Sequence, residues 1–370
     1  MKNCVRPLLT MALGLVLGLG AYANALDQGY GNDSYATQLG FDSFNLSVKK
    51  RLASTRIGGS TRLFGAAPVL AAPDAYAAPA SRNATVGSGR RQLDCVYYSG
   101  FTVWADMYQT WARQRSHGSD GYSYRTTGPA IGLDWSSGGW TFGLAGTHGW
   151  GKIKGRDTGH KRNTRQWVFE AYGQYDTERF YVNASAAYTH NNFRSQRSFV
   201  GGGARDEYNS NGWNFDGEFG LKFNLSNFLI TPNVGIRYFR DRHGSVNETG
   251  SNWRIGTGKR SYYTLELPVG VDFAYELVTS RAIFVPRASV AWIPEIARRR
   301  GNAEGNYYNN SGAVNPFSEN GAKRGRNGFE FGLGLEAKLT NSFSAHLDYQ
   351  LTLRSRQRVH NWNLGAGFTF

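Results

Sequence analysis

The stretch FEFGLGLEAKL, Phe329 to Leu339, decides the fold. Phe329, Phe331, Leu333, Leu335, Ala337 and Leu339 alternate without a break with Glu330, Gly332, Gly334, Glu336 and Lys338, the period-two pattern of a strand with one apolar and one polar face. The same rule holds from Trp213 to Leu225, where Trp213, Phe215, Phe219, Leu221, Phe223 and Leu225 oppose Asn214, Asp216, Glu218, Lys222 and Asn224. It holds again from Tyr263 to Tyr275, with Leu265, Leu267, Val269, Val271 and Phe273 against Thr264, Glu266 and Asp272. These runs exceed the common strand of a soluble sheet, whereas a strand tilted across an outer membrane needs about nine to eleven residues. In a membrane barrel the apolar register faces lipid and the polar register faces the lumen, which makes Glu218, Glu266, Asp272, Glu330 and Glu336 lumen acids.

Extended along the chain, the pattern predicts twelve strands, with starts near Phe101, Tyr124, Trp140, Arg165, Phe180, Asn211, Phe228, Tyr262, Ala282, Asn327, Phe343 and His360. The connections between them are of two kinds. Tight turns fall at Ser136 to Gly139, Asp176 to Arg179, Ser226-Asn227, Val278 to Arg281 and Thr340 to Ser342. The others are mostly long and polar: His117 to Gly121, Lys152 to Asn163, Ser195 to Tyr208, Asp241 to Lys259 and Pro294 to Arg326, with a shorter one at Arg354 to Arg358. Short turns on one rim and long loops on the other are the asymmetry of an outer-membrane barrel, turns periplasmic and loops outside. A Greek-key sandwich would mix turn lengths at both ends. The fold class is therefore all-β, a twelve-stranded antiparallel transmembrane β-barrel over residues 96–370. Pro232, Pro268 and Pro286 fall inside expected strands, where a ladder donor is lost, and bulges are expected there.

Composition agrees with repeated strands: 370 residues hold 47 glycines, 14% aromatic residues and 10 prolines. At the N-terminus, Lys2 and Arg6 precede an apolar run from Leu8 to Ala21 and then Ala23-Asn24-Ala25, which reads as a secretory signal peptide over 1–25. Beyond it no stretch reaches the eighteen apolar residues of a spanning helix, and a mean hydropathy of -0.48 excludes nothing about a barrel, whose alternating residues average out. Cys4 leaves with the signal peptide, so Cys95 has no disulfide partner within the mature chain.

Residues 26–40 are too few for a solenoid of stacked repeats and read as a very short passenger-like segment. Over 41–57, Phe41, Phe44, Val48, Leu52 and Thr55 recur near helical spacing among Lys49, Lys50, Arg51 and Arg56, with Asp42 or Ser43 as cap and Gly58-Gly59 as stop. Residues 58–95 are rich in Ala, Pro and Gly, a linker composition.

Several of these stretches resemble the autotransporter translocator, the C-terminal unit of type V secretion. Arg51-Leu52-Ala53-Ser54-Thr55-Arg56 is similar to the Arg-Leu-x-x-Leu-Arg motif of the helix that threads such barrels, with Thr55 in place of leucine. FTVWADMYQTW resembles the family's first strand, GPAIGLDW its second and NWNLGAGFTF its last. The resemblance implies that the 41–57 helix lies inside the pore, where Lys49, Lys50, Arg51 and Arg56 meet the lumen acids. It further implies that Trp362, Leu364, Phe368 and Phe370 form the C-terminal signature read by the barrel assembly machinery. The protein's own N-terminal segment, periplasmic chaperones, outer-membrane lipid and lipopolysaccharide would be its partners, and an N-terminal segment would be displayed at the cell surface.

Two other function classes stand beside this one. An outer-membrane enzyme needs a base, nucleophile and orienting group placed together, and only Asp241-Arg242-His243 hints at one; no catalytic, metal or cofactor site is expected. An adhesin or pore would act through basic loops, given a net charge of +15 and the clusters Lys152-Ile153-Lys154, Lys161-Arg162, Arg298-Arg299-Arg300 and Lys323-Arg324-Gly325-Arg326. Lipopolysaccharide suits such loops; nucleic acid does not suit a cell-surface face.

Overall fold

Alternating faces commit the chain to strands whose ladder partners lie on both sides, and lipid tolerates no open edge. The computed structural model describes residues 30–60 and 100–370, apart from 117–120, 157–159, 200–201, 251, 300–301, 310–311, 322–323 and 341. The expected signal peptide, most of the expected linker and Cys95 lie outside the described residues. The barrel strands are β1 (Gly100–Gln114), β2 (Tyr122–Ser137), β3 (Trp140–Gly155), β4 (Lys161–Asp176), β5 (Phe180–Phe199), β6 (Gly202–Leu221) and β7 (Phe228–His243). They continue as β8 (Arg260–Glu266, resumed at Val269–Tyr275), β9 (Ile283–Trp292, resumed at Glu295–Arg299), β10 (Gly328–Lys338), β11 (Phe343–Arg354) and β12 (Gln357–Thr369). Each pairs antiparallel with its chain neighbours, and β1 closes the ring on β12 from Thr102↔Thr369 to Gln114↔Gln357.

The outward register is apolar and exposed, as on β10, where Phe329, Phe331, Leu333 and Leu335 face away from the lumen. Aromatic residues bound this belt at two levels: Phe101, Trp135, Trp140 and Tyr275 on the short-turn side, Trp111, Trp150, Trp167, Trp213, Trp292 and Trp362 on the other. From Phe101 to Trp111 is about 33 Å along the strand, or about 25 Å along a barrel axis at the usual tilt, the height of an outer-membrane apolar band.

The tight turns are of the kind expected. Ser137 pairs with Trp140 across Gly138-Gly139, both with positive φ (57° and 86°), the two-residue turn whose twist matches a hairpin and which disfavours side chains. The expected long loops are different: most are built from strand. β5 and β6 pair over their full length to Phe199↔Gly202, and Arg254–Thr257, Asn302–Asn309, Gly312–Asn320 and Val246–Asn247 form a separate four-stranded sheet beyond the barrel wall. Backbone donors still need partners outside the lipid, so the ladder runs on where the apolar register has stopped, and hydropathy no longer marks it.

Of the three expected proline irregularities, only Pro268 sits at a break. It separates the halves of β8 beside Pro294, which separates those of β9; Leu267 N donates to Pro294 O (3.0 Å) and Gly235 N to Pro268 O (2.7 Å). Pro232 and Pro286 stay in continuous register opposite Val271 and Leu335.

Inside the ring lies one helix, α1 (Asp33–Ser60), preceded by a 3₁₀ turn at Tyr30–Asn32. It is longer than the expected 41–57 at both ends.

Candidate functional site

From Asp33 to Val48 helix α1 is buried apart from half-buried Asp42, and from Lys49 to Arg56 it is mostly half-buried; the wall packs much of its aromatic surface against one side of it, with Phe239 of β7 also meeting Phe41. Phe41, Phe44, Val48 and Leu52 form a stripe that packs in one cluster with Trp104, Tyr108, Tyr124, Val168 and Tyr172 of β1, β2 and β4. Gly40 allows the closest approach: a Cβ there would lie 2.3 Å from Gln166 Oε1 and 3.0 Å from the Tyr124 hydroxyl. Opposite, a cavity of about 170 Å³ separates the helix from β7 to β11, and among its lining residues are the charged Asp42, Lys49, Arg237, Asp272 and Glu330.

The helix cations reach acids of the wall. Arg51 Nε and Nη2 donate to both carboxylate oxygens of Asp134, each at 2.8 Å, a bidentate arrangement that is stronger and more directional than a single contact. Lys49 lies 2.9 Å from Asp216, Lys50 3.4 Å from Asp348, and Arg56 3.8 Å from Glu218 while covering the Tyr181 ring at 3.7 Å. Hydroxyl and amide contacts fix the register between them. Asn363 Nδ2 donates to Ser47 Oγ (2.6 Å), Tyr262 to Gln38 Oε1 (2.7 Å) and Ser54 Oγ to Glu336 Oε1 (2.5 Å). Thr55, in the leucine position of the motif, donates to the Leu52 carbonyl and accepts from Gln174.

All five acids read from the alternation face the lumen side, yet only Glu218 and Glu336 touch the helix. Glu266 is held by Arg354 (2.6 Å), Arg237 (3.4 Å) and Arg324 (3.5 Å), Glu330 by Arg237 (3.3 Å), and Asp272 accepts from Asn233 (3.1 Å). Wall arginines thus neutralise acids that the sequence reading gave to the helix. The helix's own partners Asp134, Asp216 and Asp348 were missed, although each stands on the inward register; for Asp134, Leu133 and Trp135 on either side face out.

The two ends of the helix are anchored at opposite rims. Asp33, in its first turn, is fully buried and bound by Arg162, Tyr208 and Arg260 (3.0 Å to Arg260), with Tyr30 reaching Asp206 (2.7 Å) and Glu248 (2.9 Å). An acid suits that end, where helix N–H groups are unpaired. These partners stand on the strand extensions of the long-connection side. Arg56 instead meets Tyr181, two residues past the short turn that joins β4 to β5, and Glu218, three residues before the end of β6 on the same rim. One arginine from each of three expected loop clusters is also turned inward: Arg162 binds Asp33, and Arg298 and Arg324 bind Glu295.

Asp241 and His243 face inward as well. Asp241 Oδ2 (2.7 Å) and Ser34 Oγ (2.9 Å) both approach the same imidazole nitrogen, Nε2; a base oriented through one nitrogen and acting through the other is not formed. Among the described residues, no three His, Cys, Asp or Glu side chains are grouped to hold a metal ion. Trp362, Leu364, Phe368 and Phe370 all point outward on the closing strand and its end.

Residues 103–350 match the family model described as Autotransporter beta-domain. Outer membrane protein A of Rickettsia conorii is 26% identical over 276 residues, 70% of this chain and 13% of that protein; outer membrane protein B of the same species is 25% identical over 325 residues, 81% of this chain and 19% of that protein. The chain therefore spans less than a fifth of these relatives. Among solved structures, the translocator domain of NalP from Neisseria meningitidis aligns with a TM-score of 0.59 at 16% identity, covering 74% of this chain and 90% of that one. The transport unit of AIDA-I from Escherichia coli aligns at 0.52 and 14% identity, covering 92% and 99%. The family match spans most of the barrel, and the structural likeness extends to its fold: the chain belongs to the autotransporter β-domain family and is an outer-membrane β-barrel.

Proposed function

We propose that this barrel carries the segment N-terminal to α1 to the cell surface and then retains α1 in its lumen as a plug. The observation that carries the reading is direction. The N-terminal end of α1 is tied through Asp33, Arg162 and Arg260 at the rim of the long connections, while Ser54 and Arg56 lie near the short turns. A chain held this way leaves whatever precedes Tyr30 outside, and returns to β1 on the periplasmic side. Residues 26–40 would then be divided between a displayed end and the start of the plug, and 58–95 would be a periplasmic linker. The lumen contacts of Lys49, Lys50, Arg51 and Arg56 hold the plug after transit, and Leu52 supplies its apolar contact. Trp362, Leu364, Phe368 and Phe370 offer the assembly machinery an exposed apolar strand face, with periplasmic chaperones covering it beforehand. The chain performs no catalysis in this role.

The test is an epitope inserted between Leu26 and Gly29 of the full chain. Antibody staining of intact cells, equal to that after outer-membrane permeabilisation, is the expected result. Staining only after permeabilisation, with the barrel correctly folded, would reject export.

A further inference from the structure

Above the aromatic belt on the long-connection side, the outward register of β12, β1, β2, β3 and β4 turns from apolar to cationic. Arg358, Arg113, Arg125, Lys152, Lys154 and Arg165 are all exposed there, and among the described residues no Asp or Glu shares that register on these five adjacent strands. The cations are placed against one another. Arg113 is directly opposite Arg358, and Arg125 is directly opposite Lys152, although like charges in facing positions destabilise a sheet. Arg125 is also held in place: its guanidinium lies 5.6 Å from the centroid of the Trp111 ring, and the Gln109 amide, turned to present its oxygen, accepts from Nη2 (2.6 Å) and Nε (3.1 Å). Further round the barrel the chain treats an outward cation differently, since Arg194 is paired with Glu207 at 3.2 Å.

This cluster, with no acid on its own strands and with Arg165 at its edge near Glu207 of β6, sits next to Trp111, Trp150 and Trp362, where hydrocarbon gives way to headgroups. We infer that this face of β12 to β4 is a binding site for the phosphate groups of a glycolipid in the outer leaflet, lipopolysaccharide being the source. Phosphate oxygens placed between facing cations would replace repulsion by charge-assisted hydrogen bonds, with arginine forks suited to bidentate contact. The inference rests on the barrel's place in the outer membrane and is independent of export.

The experiment titrates the purified full chain in neutral detergent with diphosphorylated lipid A, fully dephosphorylated lipid A, or inorganic phosphate, reading the thermal unfolding midpoint and bound lipid by native mass spectrometry. Diphosphorylated lipid A is expected to bind and raise the midpoint. The dephosphorylated lipid, and phosphate at the same concentration, are expected to do neither. Each cation near an anionic surface is worth roughly fivefold in affinity, so Arg113→Gln/Arg125→Gln/Lys152→Gln/Lys154→Gln should lose tenfold or more, while Arg281→Gln on the opposite rim should bind as the unmodified chain does. Equal binding by the quadruple variant or by the dephosphorylated lipid would overturn the proposal, and protection by inorganic phosphate alone would overturn the lipid as its source. The lipid comparison on the unmodified chain decides the matter even where the variant fails to fold, and surface staining of an N-terminal epitope reports on export separately.

Discussion

Arg51 and Asp134 make a bidentate tie between plug and wall. Asp134 is 1% exposed and the pair is bidentate, so Arg51→Ala leaves a buried carboxylate with only the Tyr172 hydroxyl as donor (3.1 Å). Breaking a buried pair on one side costs about 3–5 kcal/mol. We expect Arg51→Ala to lower the thermal unfolding midpoint of the purified barrel well beyond Lys49→Ala, which removes a side chain that is 25% exposed, and the double variant Arg51→Ala/Asp134→Ala to regain part of the loss. A midpoint for Arg51→Ala no lower than for Lys49→Ala would refute this ranking. The two partners were separately legible in sequence, Arg51 in a basic cluster and Asp134 on the inward register of GPAIGLDW. Their pairing was not, because Arg237, Arg287 and Arg354 on the wall compete for the same acids, and alternation assigns a residue to a face without choosing its partner.

At the level of the element, α1 shows where pattern reading stops. The stripe Phe41, Phe44, Val48 and Leu52 meets aromatic side chains and was visible as helical spacing. The first turns, Asp33 to Gly40, bury Tyr35, Ala36 and Leu39 in the same cluster but set them among polar contacts: Gln166 Nε2 donates to the Thr37 carbonyl (3.1 Å), and Gln38 faces Tyr262 and Arg324. A helix whose neighbours are hydrogen-bonding side chains needs no apolar face, so its true start was illegible. Barrel strands beyond the lipid were obscured for the same reason. Gly40 gives the element its own test. A valine there meets Gln166 and Tyr124 well inside contact distance, and overpacking of this kind typically costs about 1–3 kcal/mol. Gly40→Val should lower the unfolding midpoint and increase brief openings in planar bilayers, whereas Gly258→Val, with no neighbour within 4 Å, should leave the openings unchanged. Quiet bilayer records from Gly40→Val would show that close packing at this point does not hold the plug.

For the whole molecule, the lumen charge depends on the helix. Without Lys49, Lys50, Arg51 and Arg56, the wall presents Asp134, Asp216, Glu218, Asp272 and Asp348 with fewer cations to oppose them. A chain lacking residues 30–60 should therefore conduct in planar bilayers with a larger unit conductance and prefer cations, and addition of four lysines on the inward register should reverse that preference. An anion-selective pore in the deletion variant would show that the wall arginines outweigh the acids. The asymmetry of turns and long connections, which was legible in sequence, fixes which rim faces outward. Only the structure orients α1 between them.

That orientation is tested most directly by cysteine pairs at two depths, in a chain whose Cys95 is serine. Ser34 lies 2.9 Å from His243 near the outer rim, and Ser54 lies 2.5 Å from Glu336 toward the periplasmic one. Threading with the N-terminal end outward requires that Ser34→Cys/His243→Cys and Ser54→Cys/Glu336→Cys each cross-link on treatment with an oxidant or a short bismaleimide, and that Ser34→Cys/Glu336→Cys and Ser54→Cys/His243→Cys do not. Cross-links in the exchanged pairs, or in none of the four from a folded barrel, would contradict it.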